Sequence, residues 1–137
     1  MLKLVLVFLG GGVGASMRYG AGVLVARLTP EGAETPHWLA MYPVATMLVN
    51  LLGCGLIGLA WGLLGDPKDG NETIRLALIV GVLGGFTTFS SFGWEMLELM
   101  QEGRALTAII YAVLSVGVGL LCAYAGHALG LTLSAGS

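Results

Sequence analysis

An all-α membrane protein with four transmembrane helices follows from three features of this sequence. Of its 137 residues, 56% are hydrophobic and only 10% are charged, against about 25% charged in an ordinary soluble domain. The charges are also bunched: Trp38 to Gly65 and Leu76 to Trp94 contain no Asp, Glu, Lys or Arg, and Ala105 to Ser137 contains only His127 as a titratable base. Each run reaches about the 20 apolar residues that a bilayer requires. With the apolar N-terminal run added, the chain divides into spans near residues 2–26, 39–65, 74–99 and 105–130, and no stretch remains for a soluble domain.

The first span contains "LVLVFLGGGVGASMRYG", in which Gly10, Gly12 and Ala15 imitate a dinucleotide-binding turn. That reading needs a βαβ unit and an acidic residue at the end of its second strand. Glu31 and Glu34 instead fall in the Pro- and Gly-containing loop "RLTPEGAETPHW". A cleaved export signal is disfavoured because Arg18 interrupts the apolar run and a further span follows soon after. The glycines therefore read as a helix-packing surface. Gly10 with Gly14, Gly58 with Gly62, and Gly126 with Gly130 have G-x-x-x-G spacing, and Gly117 and Gly119 add small surface to the last span.

Short-loop charge orients membrane proteins, and here it is nearly balanced. Lys3, Lys68 and Arg75 fall on one side and Arg27 and Arg104 on the other, with Arg18 inside the first span. A chain without bias can insert either way up, so two copies can form an antiparallel, dual-topology homodimer. Four helices are also too few to enclose a watery route alone. Transport would require an assembly.

Several residues are costly in a membrane. Arg18 lies about 24 Å along a helix begun at Leu2, where it either snorkels to headgroups or marks an anion-attracting vestibule. Asn50, in the uncharged second span, either bonds between helices or offers its NH₂ to a passing anion. In "GVLGGFTTFSSFGWE", Gly84-Gly85 followed by Thr87-Thr88 makes a poor helix interior, which predicts a third helix broken near Gly84–Thr88. Carbonyls freed by such a break are tolerated only in a buried or polar site, where they can hold a cation such as Na⁺.

Beyond the break, Phe89 and Phe92 share a face and Ser90 and Ser91 line its neighbour. Ring edges carry partial positive charge and favour a small anion, while plain ring packing explains the same spacing. Tyr111 and Ser115, four apart, present hydroxyls either to a route or to a neighbouring helix. Glu95, Glu98 and Glu102 mark the exit from the bilayer, and His127 is interfacial. Cys54 and Cys122 have no C-x-x-C spacing and read as small apolar residues.

Together, "GGGVGASMRYG", "YPVATMLVNLLGCGLIG", "GVLGGFTTFSSFGWE" and the Tyr111–Ser115 pair resemble the Fluc (CrcB) fluoride channel family over nearly the whole chain. The resemblance implies a non-enzymatic fluoride channel in the inner (plasma) membrane that protects cells by passive efflux. It implies a dual-topology homodimer with two fluoride pathways and one central structural Na⁺, whose partners are fluoride, lipid and a second copy, with no nucleic acid. By motif match, the carbonyls of Gly84 and Thr87 hold the Na⁺, and Phe89 and Phe92 are pore rings beside Ser90 and Ser91. Asn50 matches the pore asparagine, Arg18 the vestibule arginine, and Tyr111 and Ser115 the fourth-span hydroxyls. Two features depart from the family pattern: the longer first loop, and Ala45 where glycine commonly precedes the threonine matched by Thr46. The rival reading is a small dual-topology, proton-coupled exporter of cationic compounds. That chemistry needs a membrane-embedded carboxylate, and only Glu95, at a span's edge, could serve. A third reading, a non-conducting membrane subunit, leaves the phenylalanine and hydroxyl faces without a purpose.

Overall fold

Among the described residues, four helices are long and apolar enough to cross a membrane, one at each expected place. The computed structural model describes residues 1–28, 43–65 and 71–136. Helix α1 is Leu2–Leu28 and α2 is Val44–Leu64. The third span runs over Glu72–Gln101 as two pieces, α3 (72–86) and α4 (Phe89–Gln101), and α5 is Ala105–Ala135. Every regular element among the described residues is helical. The first and last helices run past the expected residues 26 and 130, because apolar side chains continue through Leu28 and Leu133. Residues 39–42 of the expected second span, most of the long first loop and Lys68 lie outside the described residues.

Glycine sets which helices meet. α2 and α5 share the most extensive contact, and α1 packs chiefly against α3. A methyl group at Gly58 would overlap the Ala123 carbonyl, and one at Gly126 would overlap that of Gly55. A methyl at Gly62 would stand 2.8 Å from the Gly130 Cα. In the other pair, a methyl at Gly10 would stand 2.6 Å from the Ala77 carbonyl oxygen, and one at Gly14 would overlap that of Val82. Helices without an aqueous driving force associate through such backbone contact. All three predicted G-x-x-x-G pairs lie at these crossings, whereas a methyl at Gly117 would meet nothing.

The end of α2 is closed by side chains from the start of the third span. Gly65 has φ of 62°, a conformation that favours glycine. The Arg75 guanidinium donates to the Gly65 carbonyl, and Asn71 Nδ2 donates to that of Leu64 at 3.0 Å. Arg75 is only 6% exposed, and its guanidinium lies 3.6 Å from the centroid of the Trp61 ring. Arg75→Leu is therefore expected to lower stability by roughly 2 kcal/mol, through loss of the cation–π contact and a charged hydrogen bond. Thermal unfolding of the purified variant measures this, and an unchanged midpoint would show that the contacts contribute nothing net.

The third span breaks within the expected stretch Gly84–Thr88, at its far end. Residues Leu76–Leu83 form wider, π-type turns, and Gly84–Phe86 remains helical. The chain becomes extended only at Thr87 (φ −75°, ψ 158°) and Thr88 (φ −147°, ψ 120°). Gly85 serves packing, since a methyl there would stand 2.6 Å from the Gly11 carbonyl oxygen. The β-branched threonines take the extended conformation that suits them.

Candidate functional site

The break creates the site. Asn50, reaching from α2, accepts the Thr88 N–H on Oδ1 at 2.8 Å and donates from Nδ2 to the Thr88 carbonyl at 3.0 Å. Both alternatives for its amide remain open chemically. One N–H is spent on Thr88, and an NH₂ group has a second. Thr88 in turn caps α4, its Oγ1 accepting the Ser91 N–H at 3.2 Å. The Ser90 and Ser91 hydroxyls lie 3.3 Å and 3.1 Å from the same oxygen, which orients all three.

The first turn of α4 then carries the aromatic rings. Phe89 and Phe92 have centroids 5.8 Å apart with planes tilted by 40°, and Phe92 is 5.1 Å from Tyr111 at 51°. Tilted rings point edges as well as faces into the space between them. Phe89 is 83% exposed, so its outer face is covered by nothing within one chain. Phe92 packs with Tyr111, Leu99 and Ala108.

Glu95 departs from its expected place. It is half-buried and accepts hydrogen bonds from Thr46 on α2 and, at 2.8 Å, from the fully buried Tyr111 hydroxyl on α5. Glu98 and Glu102 are exposed, as expected of a span's end, as is His127. The carboxylate turns inward because α4 presents one continuous polar edge: Ser91 and Glu95 are one turn apart and share a face. That spacing was the available signal for Glu95. Thr46 gave none, since only its partner across the helix interface identifies it.

Several cavities flank this seam. One of about 170 Å³ is lined by Arg18, Ala45, Thr46, Thr88 and Ser91. Arg18 Nε is buried there without a hydrogen-bond partner. Ala45, the departure in the second motif, adds its methyl to the same wall. Another cavity, of about 300 Å³, is lined by Asn50, Cys54, Phe89, Phe92 and Ser115 among others. Ser115 Oγ is buried without a hydrogen-bond partner. Cys54 and Cys122 are free and half-buried. The structure thus joins Arg18, Asn50, Ser90, Ser91, Phe89, Phe92, Tyr111 and Ser115 around one break. Gly84 and Thr87 stand at its near side.

A family profile described as "CrcB-like protein, Camphor Resistance (CrcB)" matches residues 5–127. The chain belongs to the CrcB family. Within that family, this CrcB chain is 43% identical over 130 residues to a protein from Thermus thermophilus, covering 95% of this chain and 96% of the relative. It is 39% identical over 130 residues to a relative from Chloroflexus aurantiacus, with the same coverage. A relative from Ruminiclostridium cellulolyticum is 38% identical over 134 residues, 98% of this chain and 96% of its own. Each of these CrcB relatives carries the name fluoride-specific ion channel FluC, the name of a channel and not of an enzyme.

Proposed function

We propose that this chain is the protomer of a fluoride-selective channel. In this reading it works as an antiparallel homodimer in the inner (plasma) membrane and lets fluoride leave the cell down its electrochemical gradient. The observation that carries the reading is the polar seam running from Arg18 past Thr88 and Ser91 to the Phe89–Phe92 cavity. It is set in helices apolar enough to span a membrane, in a chain whose relatives are named for fluoride.

The dimer is supported by what one chain leaves uncovered. Gly84, Phe89 and Ser90, which flank the break, are all exposed, and backbone carbonyls freed by a break are not tolerated against hydrocarbon. A second copy inserted oppositely would bring its own break against this one, and the balanced loop charges permit that insertion.

Fluoride holds its water strongly, so a route must replace hydration with donors yet release the ion. Arg18, with its unbonded Nε, raises the anion concentration at the mouth. The oriented hydroxyls of Ser90 and Ser91, the remaining Asn50 N–H and Ser115 offer donors along the way. The edges of Phe89 and Phe92 supply weak positive potential without a full charge that would trap the ion. Tyr111, bonded to Glu95, fixes the wall behind Phe92.

A sodium ion would supply fixed positive charge that holds the two breaks together. The residues fit it: backbone carbonyls are suitable donors for this cation, and Gly84 and Thr87 lie where the helical hydrogen bonding is interrupted.

Fluoride efflux from liposomes, read with a fluoride electrode alongside chloride efflux, tests the reading. Rapid fluoride release without chloride release or proton coupling is expected. No movement of either ion from liposomes holding folded dimer would refute it, and cation–proton exchange dependent on Glu95 would establish the exporter instead. Phe92→Ile should lower fluoride efflux at least about tenfold while the dimer persists, because an aliphatic group has no positive edge. Equal flux from the reconstituted variant would remove that ring from the mechanism.

A further inference from the structure

In a continuous α-helix the carbonyl of residue i takes the amide of residue i+4. Across the break, two of these amides go to side chains instead. The Thr88 N–H, which would close onto Gly84, donates to Asn50 Oδ1 at 2.8 Å. The Ser91 N–H, which would close onto Thr87, donates to Thr88 Oγ1 at 3.2 Å. The carbonyls that lose these donors are those of Gly84 and Thr87, while the neighbouring Leu83 carbonyl keeps the Thr87 N–H at 3.1 Å and also accepts the Thr87 hydroxyl.

We propose that Asn50 and Thr88 are positioning residues for a cation site. Their side-chain oxygens stand in for the Gly84 and Thr87 carbonyls as acceptors and leave those carbonyls to sodium. The inference rests on the cation reading above and says which side chains build that site.

Two features make the substitution stable. Asn50 grips Thr88 by both its N–H and its carbonyl, so the amide cannot swing away without losing two bonds. Thr88 is buried, 8% exposed, and its extended backbone sets its hydroxyl over the first turn of α4. Without that hydroxyl the Ser91 amide has an obvious alternative acceptor in Thr87. A buried N–H left unbonded is costly, so the chain would re-form the helical bond and withdraw the carbonyl. Asn50 thereby serves both ions: its Oδ1 acts on the cation site through Thr88, and its free N–H faces the fluoride cavity.

The test is thermal unfolding of the purified, full-length protein against NaCl, with N-methylglucamine chloride keeping ionic strength constant. A ligand bound only to the folded state raises the unfolding midpoint with concentration. Thr88→Val keeps the β-branched shape and removes the acceptor, and the sodium concentration needed for a given rise in the midpoint should increase at least about tenfold. Asn50→Leu should do the same. Thr88→Ser retains the acceptor oxygen and should stay as responsive as the wild type. If Asn50→Leu does not fold, the Val and Ser variants of Thr88 decide the matter. An undiminished sodium response in Thr88→Val would overturn the positioning roles and leave the cation reading standing. No response in the wild type would refute the cation reading, and this proposal with it.

Discussion

Asn50→Asp should reduce fluoride efflux by at least about 100-fold while leaving the dimer assembled. The aspartate retains an oxygen for the Thr88 N–H but has no N–H for the Thr88 carbonyl or for the cavity shared with Phe89 and Phe92. It also sets a negative charge on the fluoride route. For an anion passing within about 4 Å at an effective dielectric constant near 20, the repulsion is about 4 kcal/mol. Each 1.4 kcal/mol or so in a barrier is about tenfold in rate, so the charge alone would outweigh the loss of one neutral hydrogen bond, about 1 kcal/mol. Fluoride flux from liposomes containing the monodisperse variant checks this. Wild-type flux would show that the anion does not pass Asn50 and would shift attention to the Arg18 cavity.

The largest stability effect should come from a single methyl group. Gly126→Ala places a methyl into the Gly55 carbonyl, a clash with backbone that no rotamer change relieves. α2 and α5 would have to separate along the most extensive contact in the fold, at a cost of about 3 kcal/mol or more, the upper range for overpacking. Gly117→Ala is the control. A methyl there meets nothing, and alanine favours a helix over glycine by about 1 kcal/mol. Thermal unfolding and gel-filtration profiles of the two variants should diverge sharply. Similar profiles would mean that the helices tolerate a wider separation than their contacts imply.

The two effects differ in kind. Gly126 acts through distance between helices and should abolish flux only by abolishing the protein. Asn50→Asp should abolish flux in a protein that still purifies as a dimer. Measured together, they separate the scaffold from the route.

Much of this molecule was legible in one dimension. Three uncharged runs of membrane length and an apolar N-terminal run located four spans, because a bilayer admits only helices or closed barrels and makes charge costly. G-x-x-x-G spacing located two close crossings, because residues four apart fall on one helix face. Phe89 with Phe92, and Ser90 with Ser91, were visible for the same reason. Periodicity along a single helix is enough for such features.

Other features required the third dimension. Glu95 reads as a charge at a span's end, and it becomes an interior acceptor only because α2 and α5 bring Thr46 and Tyr111 to it. Gly84–Thr88 reads as the weak stretch of the third helix, and within it only the structure singles out Thr87 and Thr88 as the extended residues. The difference is made by Asn50, 38 positions earlier in the chain, whose amide takes the hydrogen bonds that would otherwise continue the helix. The sequence by itself determined the solvent, the helices and the faces along them, all of which depend on local composition and period. Only the tertiary structure decided which donor meets which acceptor, because hydrogen bonds between distant segments depend on how the helices cross.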